Sequence, residues 1–173
     1  GLGPRLAPNS PVIVDGAGPL PLDGLDGDLR LVLGADEVTL AIGGSATTAR
    51  VLGRVPVDGA LDAAVAVLAA MARLGPAARG RDLDAPAMAA AIGAAPAETA
   101  EARPLPEAIG VHGLGAGRVA IGVGLAFGHT DADTLRALVD AATDAGADRF
   151  EATVGRVLLA IGIRTDAAAA FQS

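Results

Sequence analysis

The sequence predicts an α+β fold, an α/β sandwich built in two parts. Three observations predict it. Between residues 12 and 55, short runs of Val, Leu, Ile and Thr alternate with Gly- and Pro-rich turns, which reads as strands. From 58 to 93 the apolar spacing changes to three or four residues, which reads as helix. From 118 to 163 a strand pattern, a helix pattern and another strand pattern follow one another, a βαβ unit.

Residues 1–28 are rich in Pro and Gly, and Pro4, Pro8, Pro11, Pro19 and Pro21 preclude a regular helix there. VIVD (12–15), LRLVL (29–33) and VTLAIGG (38–44) are strand candidates, with GADE (34–37) as a hairpin turn. GGSATTAR (43–50) is a loop and VLGRV (51–55) another strand. Leu61, Val65, Leu68 and Ala72 form the apolar stripe of a helix over 58–74, stopped by Gly75-Pro76. An Ala-rich helix follows over 84–93, with Asp84 as its N-cap. Three prolines in 94–108 mark a boundary, so the expected organisation is 1–93, a linker at 94–110, and 111–173.

In the second part, RVAIGVGLAF (118–127) alternates large Val119, Ile121, Val123, Leu125 and Phe127 with small Ala120, Gly122, Gly124 and Ala126. Glycine inside a strand marks close approach by a backbone or ligand. The expected cover for this small face is the helix 131–145, opened by Thr130 with Asp133 at capping-box spacing and striped with Leu135, Leu138, Val139 and Ala142; a flat macrocycle is the alternative. FEATVGRVLLAIGI (150–163) is then one strand, with Phe150, Val154 and Leu158 on the same face as Arg156.

Composition narrows the chemistry. The chain has 173 residues, 51% of them apolar but only 2% aromatic, so the core is built from small side chains and no base-stacking surface is expected. All 13 basic residues are Arg, and the net charge is −7. A nucleic-acid or anionic-membrane partner is therefore not expected, and an anionic ligand needs local arginines. Cys is absent, which excludes disulfides, a cysteine nucleophile and a cysteine-ligated cluster within this chain, and fits a cytoplasmic setting. No apolar run reaches the ~20 residues of a membrane span, and no signal-peptide pattern is visible. The start GLGPRLAPNSP, without an initiator Met, reads as a fragment of something longer.

GRVAIGVGLAFGHTDADTLRALVDAATDAGADRFEATVGRVLLAIGI (117–163) resembles the second ferredoxin-like half of the sirohaem-type nitrite and sulfite reductase superfamily. There a G-x-l-x-v-G-l-x-F-G strand leads to an L-r-a-L-a-d-l-A helix and an l-T-x-x-R-x-l-l-l-x-G-i strand. Upstream, Leu6-Ala7-Pro8-Asn9-Ser10-Pro11 and Asp15-Gly16 resemble the motif that introduces the family's cofactor domain. The form of the last strand resembles the branch that oxidises precorrin-3A with molecular oxygen in aerobic cobalamin biosynthesis.

The resemblance implies a fold: part of a sirohaem-reductase-like cofactor domain followed by a ferredoxin-like half. It places the family's threonine and arginine on Thr153 and Arg156, and Asn9 where the family has a basic residue that helps bind cofactor or anion. It implies a four-iron four-sulfur cluster in the parent, ligated outside this chain, with either sirohaem or no haem beside it. It implies an acidic tetrapyrrole and the flanking domains of the parent as partners, and a chain inactive alone. A relative acting on nitrite or sulfite, and a non-catalytic binding or assembly domain of the same ancestry, stay open as alternatives, as does an unrelated α/β domain.

Arg156 is the leading candidate, because a guanidinium pairs with a carboxylate through two parallel hydrogen bonds. The alternative for it is a structural pairing with Glu151, Asp148 or a carbonyl. GLGAG (113–117) precedes a strand, so it is not read as a dinucleotide cradle. DGLDGD (23–28) lacks the EF-hand spacing and reads as turns. His112 and His129 have no third ligand, so no metal site is expected. Ser45, Thr47 and Thr48 lie in a turn with no base beside them. No catalytic residue is identified.

Overall fold

The computed structural model describes residues 6–99, 101, 103–104, 107–153 and 155–172. It divides into two compact units, Gly1–Leu105 and Pro106–Ser173.

The first unit is a four-stranded sheet: β1 (Val12–Asp15), β2 (Gly27–Leu33), β3 (Glu37–Gly44) and β4 (Arg50–Pro56), in the order β1-β2-β3-β4. β1 runs parallel to β2 and the other pairs are antiparallel. The GADE turn is a tight hairpin, the Gly34 N–H donating to the Glu37 carbonyl at 2.8 Å. α1 (Ala60–Leu74) and α2 (Ala85–Ala91) follow, α2 capped by the Asp84 carboxylate, which accepts from the Ala87 N–H at 3.1 Å. Leu29, Leu31, Leu40, Ile42 and Leu52 of the sheet bury against α1 and α2.

The buried face of α1 is not the stripe that spacing suggests. Ala63, Ala64, Val67 and Met71 face the sheet, while Leu61 is 74% exposed and Val65 is exposed too. The reason is that α1 is apolar nearly all round. Periodicity then cannot choose a face, and the alanines win because they let the helix lie close to the sheet.

The start of the expected 94–110 linker belongs to the first unit. Ala95 exchanges two 2.8 Å backbone hydrogen bonds with Arg54, and Arg103 binds Asp15 and Asp23. The division falls between 105 and 106.

The second unit holds β5 (Gly110–Gly115), β6 (Arg118–Gly124), α3 (Ala132–Asp144), β7 (Arg149–Thr153), β8 (Val157–Arg164) and the short α4 (Ala168–Phe171). Its sheet runs β5-β6-β8-β7. Both β6 and β7 are antiparallel to β8, so β6–α3–β7 is a parallel crossover with β8 inserted between its strands, a split βαβ. GLGAG forms the end of β5 and the turn into β6.

Four expectations for this unit are corrected. Residues 150–163 are not one strand but the hairpin β7–β8. Gly155 (φ 78°) and Arg156 (φ 64°) both take the left-handed backbone that primed hairpin turns require. Arg156 therefore does not share an apolar strand face with Phe150 and Leu158; Val154 lies outside the described residues. Next, β6 ends at Gly124, and Phe127 sits beyond it with φ 54° and 83% exposure. Finally, α3 does not cover the small face. Its Ala142 clusters with Val119 and Ile121, whose larger side chains offer the apolar area a helix needs. The small face takes backbone instead: a Cβ on Gly122 would collide with the Ala108 carbonyl. The helix is capped by Asp131, whose carboxylate accepts from the Thr134 N–H at 2.8 Å, rather than by Thr130.

Candidate functional site

The β7–β8 turn and the segment after β6 meet at one end of the second unit's sheet. The Leu125 N–H donates to the Arg156 carbonyl at 3.0 Å. The aliphatic stem of Arg156 lies over Gly128, where a Cβ would stand 3.2 Å from Cδ. Thr153, half-buried, pairs with Val157 at the foot of the hairpin. Arg156 is exposed, and among the described residues its guanidinium has no hydrogen-bond or ion-pair partner. The candidate structural partners are engaged elsewhere: Arg149 holds Glu151 at 2.6 Å, and the Asp148 carboxylate packs on Gly162.

This end thus presents Arg156, whose guanidinium has no partner among the described residues, and, in the segment that the turn contacts, the exposed ring of Phe127, both on left-handed backbone. A non-glycine residue there costs about 1 kcal/mol, and such strain concentrates at functional sites. The Phe127 signal was present in the sequence as glycines at 124 and 128, which interrupt a strand. The period-two alternation through 127 obscured it.

Asn9 is exposed on a left-handed turn (φ 55°) in the first unit. Its carbonyl accepts from Arg79 Nη1 at 3.0 Å, and Arg79 Nη2 reaches the Pro8 carbonyl at 3.2 Å. Arg79 Nη1 also pairs with Asp28 Oδ2 at 3.1 Å. Nearby is a cavity of about 420 Å³ lined by Pro11, Asp26, Gly27, Gly43, Gly44 and Arg81 together with Asp28 and Arg79. Reading the sequence singled out neither Arg79 nor Arg81, which cap and form a three-residue 3-10 turn, Gly80–Asp82, too short to show a period. Ser45 and Thr48 form an ordinary turn, the Ser45 N–H donating to Thr48 Oγ1 at 2.9 Å.

A buried charge network lies on the sheet face away from the helices. Asp15 and Arg30 are each 2% exposed. Arg103 Nη2 stands 2.5 Å from both Asp15 Oδ2 and Asp23 Oδ1, and the Arg103 N–H donates to Asp23 at 2.7 Å. Burial pushes the Asp15 carboxyl up, but the Leu22 and Ala17 N–H groups and Arg103 outweigh it and hold it below 3.8. Arg103 holds Asp23 below the same value. Arg30 donates through Nη2 to the Leu22 and Leu25 carbonyls. Both carboxylates here are matched, whereas Arg30 Nε and Nη1 are buried without a hydrogen-bond partner among the described residues.

His112 Nε2 lies 3.0 Å from the Ala108 carbonyl, and His129 is exposed. Among the described residues, no three His, Asp or Glu side chains gather as metal ligands, and no helix is long and apolar enough to cross a membrane.

The fold is similar to that of the solved structure of the NirA protein of Mycobacterium tuberculosis, with a TM-score of 0.69 at 20% identity, over 87% of this chain and 33% of that one. No family model matches the chain. Sequence similarity is more particular. The chain is 31% identical over 175 residues to precorrin-3B synthase from a Sinorhizobium species, covering 98% of this chain and 38% of that protein. The chain is thus a homologue of precorrin-3B synthase, spanning 38% of the length of that curated relative.

Proposed function

We propose that this chain supplies a tetrapyrrole-holding wall of a precorrin-3B synthase-like oxidoreductase of aerobic cobalamin biosynthesis, working in the cytoplasm. The carrying observation is the exposed Arg156, whose guanidinium has no partner among the described residues, on the turn that contacts the segment bearing the exposed ring of Phe127. A precorrin is a macrocycle rimmed by carboxylates. Arg156 would take one carboxylate through two N–H donors, and the Phe127 ring would lie against the macrocycle. The Thr153 hydroxyl, at the foot of the hairpin, offers a further donor.

In the family the reaction oxidises precorrin-3A with molecular oxygen, adding a hydroxyl and closing a lactone. An iron–sulfur cluster would supply the redox chemistry. This chain does not fit that group: it has no Cys, and its described residues gather no alternative ligand set. No redox step is therefore assigned to its residues, whose part is to bind and orient the macrocycle. A bound tetrapyrrole does fit, since the exposed arginines suit its carboxylates.

The test is a titration of the chain with coproporphyrin III and with sirohaem, followed by visible absorption. Arg156→Ala should weaken binding about tenfold, the worth of one charged hydrogen bond. Arg136→Ala, on the exposed side of α3, should leave it unchanged. Equal affinity in Arg156→Ala and wild type would defeat the proposal.

A further inference from the structure

We infer that the outer face of α1 is the contact surface of a weak two-fold homodimer, in which α1 packs antiparallel against the α1 of a second copy of this chain. Leu61, Val65, Leu68 and Ala72 recur at intervals of four, three and four residues, the spacing of a helix–helix seam. The sheet leaves this stripe uncovered. It takes Ala63, Ala64, Val67 and Met71, while Leu61 is 74% exposed and Val65 46%. Leu68 and Ala72 are half-buried, at the border between the two faces.

Charge selects both the occupant and its direction. Beside the stripe, Asp62 stands in the first turn of α1 and Arg73 in the last. Eleven residues, about three turns, separate them, so they lie on the same side of the stripe. Both are exposed, and neither has an ion-pair partner among the described residues. A second copy turned end for end brings each Asp62 to the Arg73 of the other, twice by symmetry. The same rotation sets Leu61 against Ala72 and Val65 against Leu68, and it opposes the two helix dipoles. A parallel pair would set Asp62 against Asp62 and Arg73 against Arg73. An anionic membrane is a poor occupant for a chain of net charge −7.

The size of the face sets the strength. α1 has 15 residues, a length of about 22 Å, and only the turns from Leu61 to Ala72 carry the stripe. Such a contact falls below the roughly 1,200 Å² at which standard specific interfaces begin, so the dimer is transient. The pairing uses the first unit alone and does not rest on the tetrapyrrole reading.

The test is sedimentation velocity of the chain from about 10 µM to about 500 µM, the range in which a weak dimer forms. The sedimentation coefficient should rise with concentration towards that of a dimer. Leu61→Glu, at a position already exposed, should hold the chain monomeric over the same range with an unchanged melting temperature. Asp62→Arg and Arg73→Asp should each weaken the dimer several-fold. The two together should restore it, although both oppose the dipole of α1 itself. The chain has no Cys, so single cysteines report the direction of pairing. Val65→Cys lies close to the two-fold axis and should oxidise to a covalent dimer. Leu61→Cys should not, because the antiparallel copy places its own residue 61 about 16 Å farther along the helix. A monomer at every concentration, a dimer that survives Leu61→Glu, no recovery in the double exchange, or equal cross-linking at 61 and 65 would overturn the inference.

Discussion

Replacing Arg103 by Met removes the cation from the two-carboxylate socket of the first unit. Asp15 is 2% exposed and Asp23 8%, so neither charge can turn to water. Breaking a buried ion pair in this way costs about 3–5 kcal/mol. Two features reduce that here. The Arg103 side chain is 34% exposed. Asp15 also keeps the Ala17 and Leu22 N–H donors, and Asp23 keeps the backbone N–H of residue 103. The expected loss is therefore about 2–3 kcal/mol, or roughly 10 °C in the melting temperature of this unit.

The pH dependence has a definite sign. In the wild type both carboxyls sit below 3.8, so their contribution is present above that value and lost as pH falls through the lower folded-state values. In Arg103→Met, burial acts with the cation gone and pushes both carboxyls up. Acidification from neutrality towards about pH 4 should then neutralise them and narrow the gap to wild type. Urea unfolding of both proteins at neutral pH and near pH 4 reads this directly. Equal midpoints at neutral pH, or a gap that does not shrink on acidification, would refute the reasoning.

Met71 is fully buried against the sheet, and Met71→Ala should cost about 2–5 kcal/mol in urea unfolding of the first unit. Gly122→Ala drives a methyl group into the Ala108 carbonyl and should destabilise the second unit by about 1–3 kcal/mol, seen in the same assay. Arg156→Gly relieves a left-handed side chain, so thermal unfolding of the second unit should move up, by about 0.5–1 kcal/mol, while coproporphyrin affinity falls. A loss of both stability and affinity would mean that the arginine props the hairpin.

Strands β1 to β4, both first-unit helices and the strand–helix–strand order of the second unit were readable because turn residues and apolar spacing agree locally. The faces were less readable. On α1 the alanines leave the pattern flat, so Leu61 and Val65 looked internal and are not. The run 150–163 kept strand chemistry on both sides of Gly155, and one glycine was the only mark of the turn; its fourteen residues already exceed the usual strand length of about 3–10. The reason that singled out Arg156 did not hold, since it is presented by a turn and not by a strand face. Arg79 and Arg103 were invisible as anchor residues. Their roles come from contacts across tens of residues, such as Arg79 to Asp28 and Arg103 to Asp15.

The two backbone hydrogen bonds between Ala95 and Arg54 have a consequence for self-association. β4 is the edge of the first sheet, and an open edge is a template on which another chain can add a strand. Ala95 occupies part of that edge, and Arg103 holds the same segment to Asp15 and Asp23 farther along. A stretch with the composition of a tether thus acts as an edge guard. A first unit cut after residue 93 should associate in light scattering beyond the extent shown by one cut after residue 104.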